Sequence, residues 1–161
     1  MRQRSWWVVL GCVGAVTAAL AAGGGGGRSG PEADEMHAQA GYKQAMAAID
    51  AQRFPEAIEL LEKHVWRYDR DADGHNYLAY AYRKSGQLDP AFKHYKRALA
   101  IDPQHLGAHE YIGEAYLLAG KMPEAEQHLK VLAGLCAARC EQYHDLEKAV
   151  ALRRASASAG K

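Results

Sequence analysis

Two cysteines and a histidine near the end of the chain are the residues whose spacing most directly suggests chemistry. Cys136, Cys140 and His144 follow one another at intervals of four residues. On one continuous helix each would lie about 40° round from the last, so that the three could present ligands to copper or zinc. A turn between the two cysteines would instead let their sulfurs meet as a disulfide. The spacing alone leaves both alternatives open.

The stretch DRDADG, residues 69 to 74, copies the opening of a calcium-binding loop. Such a loop also needs an apolar residue at its eighth position and a bidentate glutamate at its twelfth, and Asn76 and Tyr80 stand there instead. We therefore interpret the acids as the start of a helix, with Asp71 or Asp73 capping its first backbone N–H groups.

The remaining histidines and acids lack the spacing of a catalytic site. His75 and His109 are 34 residues apart, as are His94 and His128, which internal repetition produces without any site. We interpret His75 and His109 as packing residues. Because no serine, histidine and acid grouping, phosphate-binding loop or close carboxylate pair has catalytic spacing, we predict a protein that is not an enzyme and needs no cofactor.

Composition narrows the class of protein further. The chain has 161 residues, of which 48% are hydrophobic and 24% charged, and this suits one small globular domain with appendages. The formal net charge is only +1. Nucleic-acid binders carry a strong basic footprint, so we expect no nucleic acid as a partner.

The N-terminal segment predicts export. A basic start, MRQR, precedes a weakly polar run from Trp6 to Ala22, and Ala19-Leu20-Ala21 fits a signal-peptidase site. We predict a signal peptide over residues 1–22 and a periplasmic protein. The alternative is an inner-membrane anchor over residues 6–22, although this run is short for a span of about 20 residues. Residues 23–37 are expected to form a flexible glycine-rich linker, with the folded domain starting between Pro31 and His37.

Matching residues recur at an interval of 34, which is typical of two-helix solenoid repeats. The matching pairs are Gly86 and Gly120, Tyr82 and Tyr116, and Ala91 and Ala125. The stretch HNYLAYAYRKSGQLDPAFKHYKRALAIDP, residues 75 to 103, resembles a tetratricopeptide repeat at nearly every signature position. Residues 109 to 135 resemble it too, departing at Leu132, where a small residue is usual. Residues 42 to 65 form a weaker copy in which Gln52 replaces the turn glycine.

This resemblance to the tetratricopeptide repeat family, of a small exported bacterial type, implies an all-α solenoid of about three repeats and a capping helix. Small residues such as Ala79 and Gly113 let paired helices approach closely, and no single unit buries its apolar face alone. The expected boundaries are a degenerate first repeat at 38–71, a second at 72–105, a third at 106–139, a capping helix at 140–154 and a disordered tail at 155–161.

The resemblance also implies a function, because proteins of this family generally bind a peptide or partner protein on their concave surface. We predict a non-catalytic adaptor in the cell envelope that touches the membrane only if the N-terminal segment stays uncleaved. The first helix of each repeat should line the groove. Its predicted exposed residues are Tyr42, Lys43 and Met46, then Asn76, Tyr77, Tyr80, Arg83 and Lys84, then Glu110, Tyr111 and Glu114. The alternative for this face is a solvated surface of mixed charge.

Export and the repeat boundary together favour the disulfide. Cys12 would leave with the signal peptide, and the remaining Cys136 and Cys140 would enter an oxidising compartment. The repeat pattern places a helix break near Ala137. We therefore predict a Cys136–Cys140 disulfide, with a small metal-binding or thiol-redox protein using Cys136, Cys140 and His144 as the alternative.

Overall fold

The computed structural model describes the backbone of residues 31–159 and the side chains of residues 39–158. The predicted signal peptide and the glycine-rich part of the predicted linker lie outside the described residues. Within residues 31–159, no helix is both long enough and apolar enough to cross a membrane.

Seven helices and no strand make up the described part of the chain, so the all-α prediction is confirmed. Three antiparallel pairs are followed by a single helix. The helices are α1 (Pro31–Asp50), α2 (Phe54–Arg67), α3 (Ala72–Lys84), α4 (Leu88–Ile101), α5 (Leu106–Leu118), α6 (Met122–Cys136) and α7 (Glu141–Ala159). Each pair packs against the next, and α7 packs against α5 and α6.

Helix α1 begins at Pro31, at the early end of the range predicted for the start of the folded domain, so residues 31–37 are helical and not flexible linker. Proline suits the first turn of a helix, and the following PEADEM stretch is rich in helix formers. Helix α7 continues through Ala159 where we expected a disordered tail. Alanines favour this extension, and the hydroxyls of Ser156 and Ser158 donate to carbonyl oxygens three residues earlier.

The core repeats with the 34-residue interval. Small residues are fully buried where helices approach closely, at Ala79 of α3 and Ala91 of α4. Large residues at another repeated position fill the adjoining space, and these are Leu78, Ile112 and Leu146, all buried. Because Leu146 on α7 stands two intervals after Leu78, α7 is the first helix of an incomplete fourth repeat as well as a cap.

Helix α3 starts at the acidic stretch, as predicted. The Asp71 carboxylate accepts a hydrogen bond from the backbone N–H of Gly74 at 3.0 Å, which is the geometry of an N-cap. The same carboxylate lies 2.6 Å from Nε2 of His64 on α2. Asp71 therefore starts one repeat and ties it to the repeat before.

Two equivalent histidine pairs join the helices of the second and third repeats. In the second, Nδ1 of His75 lies 3.0 Å from Nδ1 of His94, and Nε2 of His75 donates to the carbonyl oxygen of Asp69 at 3.1 Å. The third repeats this with His109 and His128 at 2.9 Å. Burial first, and then the neighbouring histidine, lower the pKa of both His94 and His128 to about 4. His75 and His109 are buried and hydrogen-bonded, in agreement with their interpretation as packing residues.

The two cysteines flank a sharp turn. Helix α6 ends at Cys136, and Ala137 and Ala138 take left-handed conformations with φ of 50° and 53°. The Cα atoms of Cys136 and Cys140 are 5.8 Å apart and the sulfurs are paired across the turn. The break predicted near Ala137 is therefore present, and the continuous helix that the metal alternative required is not.

The three turns inside the repeats reverse the chain through a left-handed residue at one shared position. Gly86 and Gly120 have φ of 77° and 73°, and Gln52 stands one interval before Gly86 with φ of 57°. Residues with a Cβ atom resist this conformation by about 1–2 kcal/mol.

We expect Gln52→Gly to raise the free energy of unfolding by about 1 kcal/mol, because glycine adopts this conformation without strain. Urea unfolding followed by circular dichroism measures the change. The matched control is Gln87→Gly, at the N-cap of α4 where φ is −92°. An equal gain in both variants, or a loss in Gln52→Gly, would mean that the left-handed turn is not strained.

Candidate binding groove

The first helices of the repeats form one continuous surface. Helix α5 contacts both α3 and α7. The rings of Tyr42 on α1 and Tyr77 on α3 lie 6.3 Å apart, so α1 joins the same surface. Because the repeat interval is constant, equivalent side chains form rows that run across these helices. This surface is called the groove below.

Aromatic rings cover the middle of the groove. The centroids of Tyr80 on α3 and Tyr111 on α5 are 5.0 Å apart, and Phe54 on α2 lies 6.3 Å from Tyr80. Tyr77, Tyr80 and Tyr111 are all partly exposed. Rings with a polar end and an apolar body are typical of protein interfaces.

Arg83 lies among these rings as a buried cation. Its Nη1 is 2.6 Å from Oε2 of Glu114 on α5, and its Nε donates to the hydroxyl of Tyr95 on α4 at 3.2 Å. The guanidinium carbon stands 5.2 Å and 5.5 Å from the ring centroids of Tyr80 and Tyr111. Arg83 therefore joins three helices through one side chain.

Electrostatics keeps Arg83 charged despite its position. Burial alone lowers the pKa of a guanidinium, but Tyr95 and Glu114 outweigh that effect and hold the pKa of Arg83 above its ordinary value. The guanidinium and the Glu114 carboxylate thus form a charge pair at the centre of the groove. The guanidinium is already engaged and is not an open anchor for a partner's carboxylate.

Three residues that we predicted as exposed groove positions are buried, which corrects that part of the sequence analysis. Arg83 is 9% exposed, Glu110 is 8% exposed and Asn76 is 2% exposed. A sequence shows which face of a helix is polar but not how closely the next first helix covers it. The remaining predicted residues are partly or fully exposed, and they are Tyr42, Lys43, Met46, Tyr77, Tyr80, Lys84, Tyr111 and Glu114.

An open depression of about 540 Å³ continues the groove toward the C-terminal ends of α3, α5 and α7. Leu118 and Leu152 line it and are 61% and 64% exposed. Lys84 and Arg153 lie at the same depression. Apolar side chains on its floor and cations beside them suit a ligand that carries an apolar group next to an acid or carboxylate.

The contribution of α7 to this depression was not predicted from the sequence. We predicted only a capping helix at 140–154, whereas the Leu152 side chain on that helix lines the depression. The repeat interval could have revealed this position. Leu118 and Leu152 stand one and two intervals after Lys84, which we had placed in the groove.

The metal alternative at the cysteine turn finds no matching geometry. His144 is exposed on α7, and its Nδ1 lies 3.9 Å from Oε2 of Glu147. Among the described residues, no group of three or more histidine, cysteine, aspartate or glutamate side chains is arranged to hold a metal ion.

Paired helices, a 34-residue interval and a groove built from first helices together define a helical-repeat protein. The family model of the tetratricopeptide repeat matches residues 72–105, which are the predicted second repeat. The chain thus contains a tetratricopeptide repeat and has the all-α fold of tetratricopeptide repeat proteins. No curated protein sequence matches it significantly.

Solved structures share this fold at low sequence identity. The type III secretion chaperone SycD of Yersinia enterocolitica, in complex with a peptide of the translocator YopD, has a TM-score of 0.65 at 18% identity over 79% of this chain and 95% of that one. The second tetratricopeptide repeat domain of human RPAP3, in complex with an HSP70 peptide, has a TM-score of 0.64 at 22% identity, over 71% of this chain and 96% of that one. The TPR2B domain of yeast Sti1, in a complex with pHsp70, has a TM-score of 0.62 at 17% identity, over 70% of this chain and 98% of that one.

We expect Arg83→Met to lower the free energy of unfolding by about 3–5 kcal/mol, because it leaves the Glu114 carboxylate without its buried partner. The double variant Arg83→Met with Glu114→Met should recover most of that loss, since it removes both charges. Urea unfolding of the single and double variants measures the difference. Equal losses in the two variants would contradict a structural role for the pair.

Proposed function

We propose that the groove binds an extended segment of a partner protein and carries out no chemistry. The observation that carries this proposal is the depression formed by α3, α5 and α7, where Leu118 and Leu152 are largely exposed. Covering one such leucine contributes about 1.5–3 kcal/mol. Two leucines on a concave floor therefore form an anchor for an apolar side chain.

The tyrosines beside the depression complete this surface. Tyr80 and Tyr111 are held in place by Arg83 beneath them, so a partner does not have to order them. Lys84 lies 5.8 Å from the ring of Tyr80 and is exposed. Such a preorganised aromatic surface with a cation at its edge favours binding of an extended peptide.

The comparisons support the same class of function. The SycD and RPAP3 structures are complexes with bound peptides. Those proteins share the fold of this chain, and a groove of first helices is the surface that such a fold offers to a ligand.

We further propose that the protein acts as an adaptor in the cell envelope. This proposal rests on the N-terminal sequence, where residues 1–22 have the pattern of a signal peptide and residues 6–22 could alternatively remain as an anchor. The turn at Cys136 and Cys140 suits an oxidising compartment, because the two Cα atoms are 5.8 Å apart, within the range that disulfides span.

To test groove binding, the full-length chain is immobilised and a phage library of random peptides is panned against it, and an enriched peptide is then synthesised. We expect the double variant Leu118→Ser with Leu152→Ser to bind that peptide at least about tenfold more weakly, because apolar contact is lost. Both side chains are exposed, so folding should be unaffected. Calorimetric titration measures the affinity.

Trp66→Ser is the matched control for this experiment. Trp66 is 87% exposed on α2, away from the depression, so the substitution removes more apolar surface without touching the groove. Undiminished affinity in the leucine variant, or a loss confined to Trp66→Ser, would place the binding surface elsewhere.

Export and the disulfide are tested together by mass spectrometry of the chain secreted with its own N-terminus into a bacterial periplasm. We expect a mature chain that has lost the signal peptide by cleavage close to Ala22 and that resists thiol alkylation until it is reduced. The closed loop is very short, so the stabilisation should stay below the roughly 3 kcal/mol of a fifteen-residue loop. Alkylation of both cysteines without reduction would rule out the disulfide, and an intact N-terminus would favour the anchor.

A further inference from the structure

Glu110 is a buried acid without a partner. It lies on α5 and is 8% exposed. Among the described residues, no hydrogen bond or ion pair engages its carboxylate, whereas Glu114, one turn later, is paired with Arg83. Burial first, and then the nearby Glu114 and Asp145, raise the pKa of Glu110 to about 7. Such a group lacks a donor that would stabilise its ionised form.

The charges around Glu110 come from three helices and are mostly negative. Glu114 is on the same helix, Glu141 and Asp145 are on α7, and Arg83 on α3 is the one cation among these groups that acts on Glu110. The acids on α7 are exposed. The described residues hold no group arranged for a metal ion, so the acids are too dispersed for one. A long, flexible cationic side chain can reach a dispersed set of carboxylates.

A second buried acceptor points to the same kind of ligand. Asn76 stands one interval before Glu110 and is 2% exposed, and its Oδ1 has no hydrogen-bond partner among the described residues. Its Nδ2 lies against Gly107, at 3.4 Å from where a Cβ atom would be. Gly107 precedes Glu110 by about one turn of α5. This row of the groove therefore holds two acceptors that lack donors.

We propose that the partner segment inserts a lysine or arginine side chain between α5 and α7 to pair with Glu110, and places an apolar side chain three residues away in the leucine depression. The inference rests on the proposed function of the groove and names the chemistry of the partner. An ammonium or guanidinium group supplies several donors and the missing positive charge.

The distance between the two subsites sets the spacing of the motif. Leu117, which also lines the depression, follows Glu110 by seven residues on α5, a rise of about 10 Å. A segment in the extended polyproline II conformation advances about 3.1 Å per residue and returns every third side chain to the same face. The apolar side chain therefore stands three positions from the basic one, at i and i+3.

The first test is the composition of peptides that the full-length chain selects from a random phage library. We expect lysine or arginine three residues from leucine, isoleucine, phenylalanine or methionine. A synthetic peptide with that motif is then titrated into the parent chain and into Glu110→Gln at pH 8. The variant should bind at least about tenfold more weakly, because a charge-assisted hydrogen bond is lost.

The second test is the pH dependence of that affinity. With a pKa near 7, Glu110 is about ten times more ionised at pH 8 than at pH 6, so the parent should bind about tenfold more tightly at pH 8. Glu110→Gln should lose this dependence. The control Glu59→Gln changes an exposed acid on α2 and should keep both the affinity and its pH dependence. Thermal unfolding confirms folding, and Glu110→Gln should melt no lower than the parent.

The outcomes separate this inference from the proposed function. If no peptide is enriched, or if the leucine variant binds the peptide as tightly as the parent does, the proposed groove function itself fails. If binding needs the leucines but selects no basic residue, or is unchanged in Glu110→Gln, only the inference about Glu110 fails. A thermal shift with Ca²⁺ or Mg²⁺ that disappears in Glu110→Gln would also overturn it, because the acids would then form a metal site.

Discussion

The structure depends on how closely the first helices of successive repeats approach one another. One position in every repeat is small, at Ala45, Ala79 and Gly113, and the next first helix fits a large side chain into the space left free. At Gly113 a Cβ atom would lie 2.6 Å from Cδ2 of Leu146, so even a methyl group would force the Leu146 side chain to shift. Because no helix pair buries its apolar face alone, this contact holds the stack together and sets the angle between neighbouring repeats.

The same close approach determines the chemistry of the groove. Polar residues that face the next helix become buried, and each then needs a partner. Arg83 forms an ion pair with Glu114, donates a hydrogen bond to Tyr95 and lies against two tyrosine rings. These contacts make the centre of the groove rigid and locally neutral. Asn76 and Glu110 occupy equivalent positions without such partners. Among the described residues, Oδ1 of Asn76 is buried with no hydrogen-bond partner, and no hydrogen bond or ion pair engages the carboxylate of the buried Glu110. The groove therefore has a completed polar network at its centre and an incomplete one beside it, where a ligand's donors can still be accommodated.

Local and periodic signals explain how much the sequence could predict. The repeat interval, the cap at Asp71, the histidine pairs and the break near Ala137 each depend on residues close in sequence or one interval apart. Exposure in the groove could not be predicted in the same way, because it depends on the distance between helices that are not adjacent in the chain. Arg83 and Glu110 show this limit most clearly, since both looked like solvent-facing residues on a polar helix face.

The position of α7 is an intermediate case. Its register was available in the sequence, because Leu78, Ile112 and Leu146 keep the repeat interval into the last helix. That register places Leu152 in the groove rather than in the core. The continuation of α7 to Ala159 depends instead on residues with high helix propensity and on serine hydroxyls. A frayed tail can have the same composition. Periodicity thus predicts where a helix lies better than where it ends.

The charge distribution limits how this groove can select a partner. The chain is nearly neutral, with a formal net charge of +1, so long-range attraction contributes little to the encounter rate. Discrimination must then arise at short range, from the acid at Glu110, the tyrosines over Arg83 and the leucines between Lys84 and Arg153. Along α5 the acid at Glu110 comes before the leucine depression, which Lys84 and Arg153 flank. A segment and its reverse would meet different surfaces, so the groove can fix the direction of a bound chain as well as its composition.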